Sequence, residues 1–487
     1  MRTARSVLKK IDKIAESGPF SASWDSLLKH RVPEWYKDAK FGIFIHWGVY
    51  SVPAFGGEWY PRHMYEKGHP TFQHHLNTWG PHDKFGYKDF IPLFKAKNFN
   101  AKEWAKLFKE AGAKYVVPVA EHHDGFPMYD CSFTKWNSVL MGPKRDIARE
   151  LGDAIKNCGM RLGLSSHRAE HSWFMNHGRS IKSDVNDPKY QDFYGPAKPC
   201  LNHNTFERGG DSEPSDAFLD DWLARTCEIV DKYRPEIIWF DWWIKHHAFK
   251  EHLKKFGAYY YNRMAEWGLE GAINHKGDDF PEGCGVFDIE RGQTAEIRPL
   301  LWQNDTAVSK NAWGYITHNE YKTPASIIHD LVDLVSKNGV LLLNIGPKAD
   351  GTIPEEDKNI LLSIGKWLKH NGEAIYDTRP WLVFGEGPTQ IVPGAFNDVK
   401  RSPFTSQDIR FTCKNNKLYA TFMAWPENGM LLIKSLAEDS HFRPTPIRSV
   451  KLLGKHSPLK WHRDASGLSV FLPDVAPCQF AWSLLIE

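Results

Sequence analysis

The 487-residue chain lacks the features that would place it in several broad classes. No run of about 18 apolar residues occurs, so no membrane-spanning helix is expected. Charge is nearly balanced, 62 basic against 59 acidic residues, and no lysine- or arginine-rich block stands out. Nucleic acid is therefore not an expected partner. The seven cysteines are scattered, with no C-x-x-C pair and no zinc spacing. That odd, dispersed set argues against a disulfide framework and leaves open a single bridge. Residues 1–20 are basic but have no apolar centre, so they are not an intact signal peptide. A periplasmic or secreted location is expected if a precursor segment was removed, and a cytoplasmic one otherwise. No internal repeat or low-complexity tract is evident, and the oligomeric state is not legible.

Aromatic residues, by contrast, are plentiful: 14% of the chain, with 20 tryptophans. That load exceeds what cores require and fits a carbohydrate or aromatic ligand. The most informative stretch is Glu236-Ile237-Ile238-Trp239-Phe240-Asp241-Trp242-Trp243. Four apolar residues without a polar break read as a strand covered on both faces. The carboxylate at its end requires a polar partner. Indoles beside a carboxylate suit a sugar, which offers C–H faces to rings and hydroxyls to charges. A helix N-cap or a salt bridge is the plainer explanation of Asp241.

A chain of this length exceeds one ordinary domain. Apolar strand-like runs alternate with helix-like segments to about residue 375. The runs are 41–48, 114–120, 161–165, 236–241, 271–274, 285–289, 300–304 and 339–345. Amphipathic segments separate them at 101–112, 145–159, 220–235, 249–268 and 324–339, with Gly112, Gly159 and Gly339 placed as helix C-caps. Eight strands with helical crossovers are the pattern of a (β/α)8 barrel. The connections after the fifth and sixth strands are too short or irregular for a helix, so a distorted barrel is expected over residues 1–380. From 385 to 487 the texture changes to seven short strands parted by turn residues. Asn415-Asn416, Glu427-Asn428-Gly429 and Ala465-Ser466-Gly467 read as hairpins. This predicts a C-terminal antiparallel β-sandwich.

Barrel enzymes place their chemistry at the C-terminal ends of the strands. Here those ends are polar: His46; Glu121 to Asp124; His167, Arg168, Glu170 and His171; Asp241; His275 and Lys276; Asp288, Glu290 and Arg291; Gln303 to Asp305. A metallohydrolase and a glycoside hydrolase both suit such a rim. Against the metal stand His46-Trp47 where a His-x-His pair is usual, and adjacent His122 and His123, which on a regular strand point to opposite faces. Glycoside hydrolysis needs two carboxylates, one nucleophilic and one protonated.

Further motifs carry a likeness to a known family. Trp35 to Gly48, Glu58-Trp59-Tyr60, Tyr115-Val116-Val117 leading to His122-His123-Asp124-Gly125-Phe126, and the strand ending at Asp241 resemble glycoside hydrolase family 29, the α-L-fucosidases. So do Trp313-Gly314-Tyr315, Leu342-Leu343-Asn344-Ile345-Gly346-Pro347 with Asp350-Gly351, and Asn371-Gly372-Glu373-Ala374-Ile375-Tyr376. The resemblance implies retaining exo-hydrolysis of a terminal α-L-fucose from an oligosaccharide or glycoconjugate, without metal or other cofactor. It implies Asp241 as nucleophile, and His46, Glu58, Trp59, His122 and His123 as hydroxyl-binding residues. Trp239 and Trp313 become apolar walls suited to the C5 methyl. His167 and Lys276 complete the expected sugar-binding set.

The chain departs from the family pattern in three places. Gln293 stands at the spacing where many members carry the acid/base glutamate, which leaves Glu290 as the nearest ionisable replacement. Gln303 follows Trp302 where others have Trp-Glu, and the third strand ends in His167-Arg168 rather than tyrosines. These changes keep two alternatives open. One is a related α-L-glycosidase such as an α-L-galactosidase, with His167 or Arg168 reaching a C6 hydroxyl. The other is a catalytically silent sugar-binding homologue.

Overall fold

Apolar runs bounded by glycine and turn residues become eight parallel strands. They are β1 (Phe41–Ile45), β2 (Tyr115–Glu121), β3 (Arg161–Ser166), β4 (Ile237–Phe240), β5 (Ala272–His275), β6 (Val286–Asp288), β7 (Trp302–Ala307) and β8 (Gly339–Ile345). Each pairs with the next, and β8 closes on β1. The structure is a computed structural model describing residues 1–200, 212–400, 402–442, 446–455 and 457–487. Alternation along the strands sorts the side chains. Phe44, Val117, Trp239, Val286 and Leu342 meet in one interior cluster. Their neighbours Ile43, Val116, Ile238 and Leu343 join the larger outer core beneath the helices.

Helices Ala101–Glu110, Ile147–Asn157, Asp216–Tyr233, Lys250–Trp267 and Pro324–Ser336 cross between successive strands. As expected, no helix lies between β5 and β6 or between β6 and β7. Gly112 (φ 91°) and Gly159 (φ 76°) follow helix ends in the left-handed region. Gly339 does not. It opens β8, and the left-handed residue after that helix is Asn338 (φ 69°). Gly339 is needed for closeness instead, since a Cβ there would sit 2.8 Å from the Trp302 ring.

The C-terminal strands are β9 (Arg379–Glu386), β10 (Ile409–Lys414), β11 (Lys417–Phe422), β12 (Met430–Ile433), β13 (Val450–Leu452), β14 (Lys460–Asp464), β15 (Gly467–Phe471) and β16 (Trp482–Ile486). They form a five-stranded sheet, β13-β16-β11-β10-β9, and a three-stranded sheet, β12-β15-β14. Ile409, Phe411, Leu418, Leu431, Ile433, Leu468, Val470 and Leu484 fill the core they share. β9 is not among the expected strands. It is a half-buried edge strand containing Pro380, which an edge tolerates but which breaks the alternating pattern. Asn415 and Asn416, both at positive φ, make the expected two-residue hairpin between β10 and β11. Ala465-Ser466 does the same between β14 and β15. Glu427-Asn428-Gly429 is corrected: it joins β11 to β12, which lie in different sheets. Turn chemistry specifies a reversal, not the partner reached after it.

A buried ion cluster ties this region to the barrel. Asp333, on helix Pro324–Ser336, receives Arg410 Nε of β10 on Oδ1 and Lys337 Nζ at 2.7 Å on Oδ2. All seven cysteines are free. Among the described residues no helix is long and apolar enough to cross a membrane.

Candidate active site

A cavity of about 490 Å³ opens at the C-terminal ends of the barrel strands, within the usual size range of ligand sites. His46, Glu58, Trp59, His122, His123, His167, Trp239, Asp241, Lys276, Glu290 and Trp313 all line it, so the expected catalytic pair and sugar-binding set meet there. Glu170, Trp242, Trp243, Lys245, Asp305 and Phe396 line it as well.

Asp241 directly follows β4 and is the N-cap of the short turn Trp242–Lys245, taking the Trp242 N–H on Oδ1 at 2.9 Å. The capping role and exposure to the cavity therefore coexist. Its Oδ2 receives His167 Nδ1–H at 2.9 Å, and His123 Nε2 lies 3.4 Å away. A carboxylate only accepts, so His167 donates from Nδ1, and its Nε2 is engaged by the Ser165 hydroxyl 2.9 Å away. Burial alone would raise the Asp241 pKa. The His167 hydrogen bond and the Lys276 charge outweigh it and hold the carboxyl well below the usual range.

Lys276 Nζ sits among three carboxylates: 2.5 Å from Glu290 Oε2, 3.0 Å from Asp305 Oδ2 and 3.9 Å from Asp241 Oδ1. Trp242 Nε1–H also donates to Glu290 Oε2, at 2.6 Å. Burial lifts the Glu290 pKa to about 7; Lys276 opposes this, while Asp305 and Asp241 add to it. Two carboxyl groups flanking one ammonium are thus displaced in opposite directions.

The remaining walls are fixed through backbone and side-chain contacts. Glu58 Oε2 accepts the backbone N–H of both Trp313 and Gly314 at 3.0 Å, which seats the Trp313 ring. Trp239 Nε1–H donates to Asp288 Oδ2 at 3.2 Å. His46 Nδ1 pairs with Asn344 Oδ1 at 2.7 Å. Burial first, then neighbouring imidazoles, push His46 and His122 well below their usual pKa, and burial takes His123 to about 3. These rings are therefore neutral near pH 7 and can serve sugar hydroxyls as donor or acceptor.

The expectation that His122 and His123 face opposite ways is corrected. β2 ends at Glu121 after a register shift, so neither histidine lies on regular strand, and both reach the cavity. Arg168 is turned elsewhere, held by Glu121 and Asp221. His171 sets its two ring nitrogens against the carbonyl oxygens of His123 and Phe193, which can only accept, and lies outside the cavity lining. Gln293 bonds Asp330, and Gln303 lies inside the barrel among Tyr36, Tyr115 and Asp288. Neither amide lines the cavity. The ring nitrogens of His46, His122 and His167 lie within 4.8 Å of one another and form a possible metal triad. A metal there would have to displace Ser165 or Asp241 from His167, whose two nitrogens are both engaged.

The sequence profile described as Alpha-L-fucosidase matches residues 7–373, and that of the Alpha-L-fucosidase C-terminal domain matches 402–487. The chain is 32% identical over 484 residues to the human tissue alpha-L-fucosidase, covering 96% of this chain and 91% of that one. It is 31% identical to the human plasma alpha-L-fucosidase, covering 96% and 92%. Among solved structures it is similar to the Thermotoga maritima alpha-fucosidase in complex with fucose: TM-score 0.74, 30% identity, 96% of this chain and 100% of that one.

Proposed function

This chain belongs to the α-L-fucosidase family and is a glycoside hydrolase, and on that premise we propose that it releases terminal α-L-fucose with retention, through a covalent glycosyl-enzyme. Asp241 is the nucleophile and Glu290 the acid/base. The observation that carries this reading is the opposed displacement of the two carboxyl groups across Lys276. A depressed Asp241 stays ionised, while Glu290 holds a proton near neutral pH, the division of roles that paired-carboxylate catalysis requires.

The atoms support the assignment. Lys276 and Trp242 both donate to Glu290 Oε2, so Oε1 is the oxygen that can carry the proton. That proton passes to the glycosidic oxygen as Asp241 bonds to the anomeric carbon and the leaving group departs. Glu290, now a carboxylate beside Lys276, then takes a proton from water as the water attacks that carbon and releases Asp241. The separation of Asp241 Oδ1 and Glu290 Oε2 cannot exceed their two distances to Lys276 Nζ added together. That bound keeps the two carboxyl groups within reach of a single glycosidic bond, as a retaining pair requires. His123, donating from Nδ1 to the His167 carbonyl at 2.9 Å, keeps the lone pair of Nε2 for a sugar hydroxyl.

Fucose is favoured over a sugar with a C6 hydroxyl. Arg168 faces away, and both nitrogens of His167 are engaged, so neither offers a spare donor. Trp239 and Trp313 supply apolar surface instead, and burying one methyl contributes about 0.8 kcal/mol. The test is Asp241→Ala on an aryl α-L-fucoside. Turnover should vanish in a folded protein and return in part with azide or formate; a variant that retains wild-type turnover rejects the assignment.

A further inference from the structure

One wall of the cavity does not come from the barrel. Phe396 lies in the connection between β9 and β10 and lines the same cavity as Asp241 and Glu290, yet it remains 52% exposed. Its φ is 58°, a left-handed conformation that a bulky residue rarely adopts. The surrounding bonds impose it. Phe396 N–H donates to the Glu290 carbonyl at 2.9 Å, and the N–H groups of Asn397 and Asp398 both donate to the Arg291 carbonyl at 2.9 Å. Asp398 is anchored in turn by Lys322 and by the Thr306 hydroxyl at 2.8 Å. The loop is thus fastened to the backbone of Glu290 itself, and these bonds hold a partly exposed ring against the cavity despite its strained backbone.

We propose that Phe396 is the platform for the leaving-group sugar, whose apolar C–H face stacks on the ring while the fucosyl unit occupies the pocket beneath. This rests on the reading of Asp241 and Glu290 as the catalytic pair. The acid delivers its proton to the oxygen that links the two sugars, so a ring bonded to the backbone of that acid stands on the leaving-group side. The substrate class it selects is a fucosylated saccharide with a pyranose next to the scissile bond.

The test compares kcat/KM for an α-L-fucosyl disaccharide and for α-L-fucosyl fluoride, whose leaving group has no ring to stack. Phe396→Ala and Phe396→Gly should lower the disaccharide value roughly 10-fold, the scale of one aromatic contact, and leave the fluoride value and inhibition by free fucose unchanged. Phe396→Trp should restore the disaccharide value. Glycine accepts the local φ without strain, so a loss shared by the alanine and glycine variants is not a folding defect. Equal losses on both substrates, or none on either, overturn the inference while the catalytic reading stands. A wild-type protein that cleaves neither substrate overturns both.

Discussion

Replacing Lys276 by methionine tests the electrostatics of the site directly. The ammonium is buried, 3.9 Å from Asp241 Oδ1 and 2.5 Å from Glu290 Oε2. At an effective dielectric constant of about 20, unit charges some 4 Å apart interact by about 4 kcal/mol, roughly a thousandfold in proton affinity. Lys276 lowers the pKa of both carboxyl groups, so its removal raises both. In the proposed mechanism activity requires Asp241 ionised and Glu290 protonated, so the active window lies between the two pKa values and moves to higher pH. In wild type the descending limb of kcat/KM for a fucosyl disaccharide should fall near pH 7, where Glu290 loses its proton. In Lys276→Met that limb should rise by at least about one pH unit, after relaxation takes up part of the Coulomb term, and an ascending limb should enter the accessible acid range. Lys276→Arg keeps the charge and should keep the wild-type profile. Asp305 also loses its partner at 3.0 Å, a loss of about 3–5 kcal/mol in stability, so rates must be taken well below the melting temperature. A descending limb that stays in place or moves down refutes the assignment of Glu290 as the protonated member.

Glu290→Gln should slow an unactivated fucosyl disaccharide by about 10²–10⁴ while barely affecting an aryl fucoside with a good leaving group; equal slowing of both contradicts an acid role. Asp333→Ala strands Arg410 and Lys337 in the interface between barrel and sheets and should cost about 3–5 kcal/mol in thermal unfolding, with kcat at low temperature unchanged. Burial raises the Asp333 pKa, but Arg410 and Lys337 outweigh it and hold it below the ordinary 3.8. Its contribution is therefore full above that value and lost as pH falls through the folded pKa, so the melting gap between variant and wild type should narrow in acid. A gap that widens in acid contradicts the ion cluster.

The barrel was legible because its strands are buried on both faces. Runs such as Ile237–Phe240 and residues 339–343 have no polar interruption, and glycine and proline near their boundaries punctuate the chain. The missing crossovers were legible for the same reason, since residues between β5 and β7 carry no amphipathic period. β9 escaped because a half-buried edge needs no alternation, and Pro380 removes the usual signal.

The site was legible only up to the point where strands end. Within a strand, inward and outward positions alternate, so Gln303 and Asp305 point into the barrel while Trp302 packs outside. Past the last paired residue the rule lapses. His122 and His123 both turn inward, whereas Arg168, one residue after His167, swings out to Asp221. Loop geometry decides these directions, and it is set by contacts distant in sequence. Phe396 is the limiting case. Nothing near it in the chain marks it as part of a site, and its place there depends on an N–H donated to Glu290 from a connection between two strands of another sheet. The residues nearest the bond to be broken were readable as chemistry. Those that would choose the leaving group are brought to it only by folding.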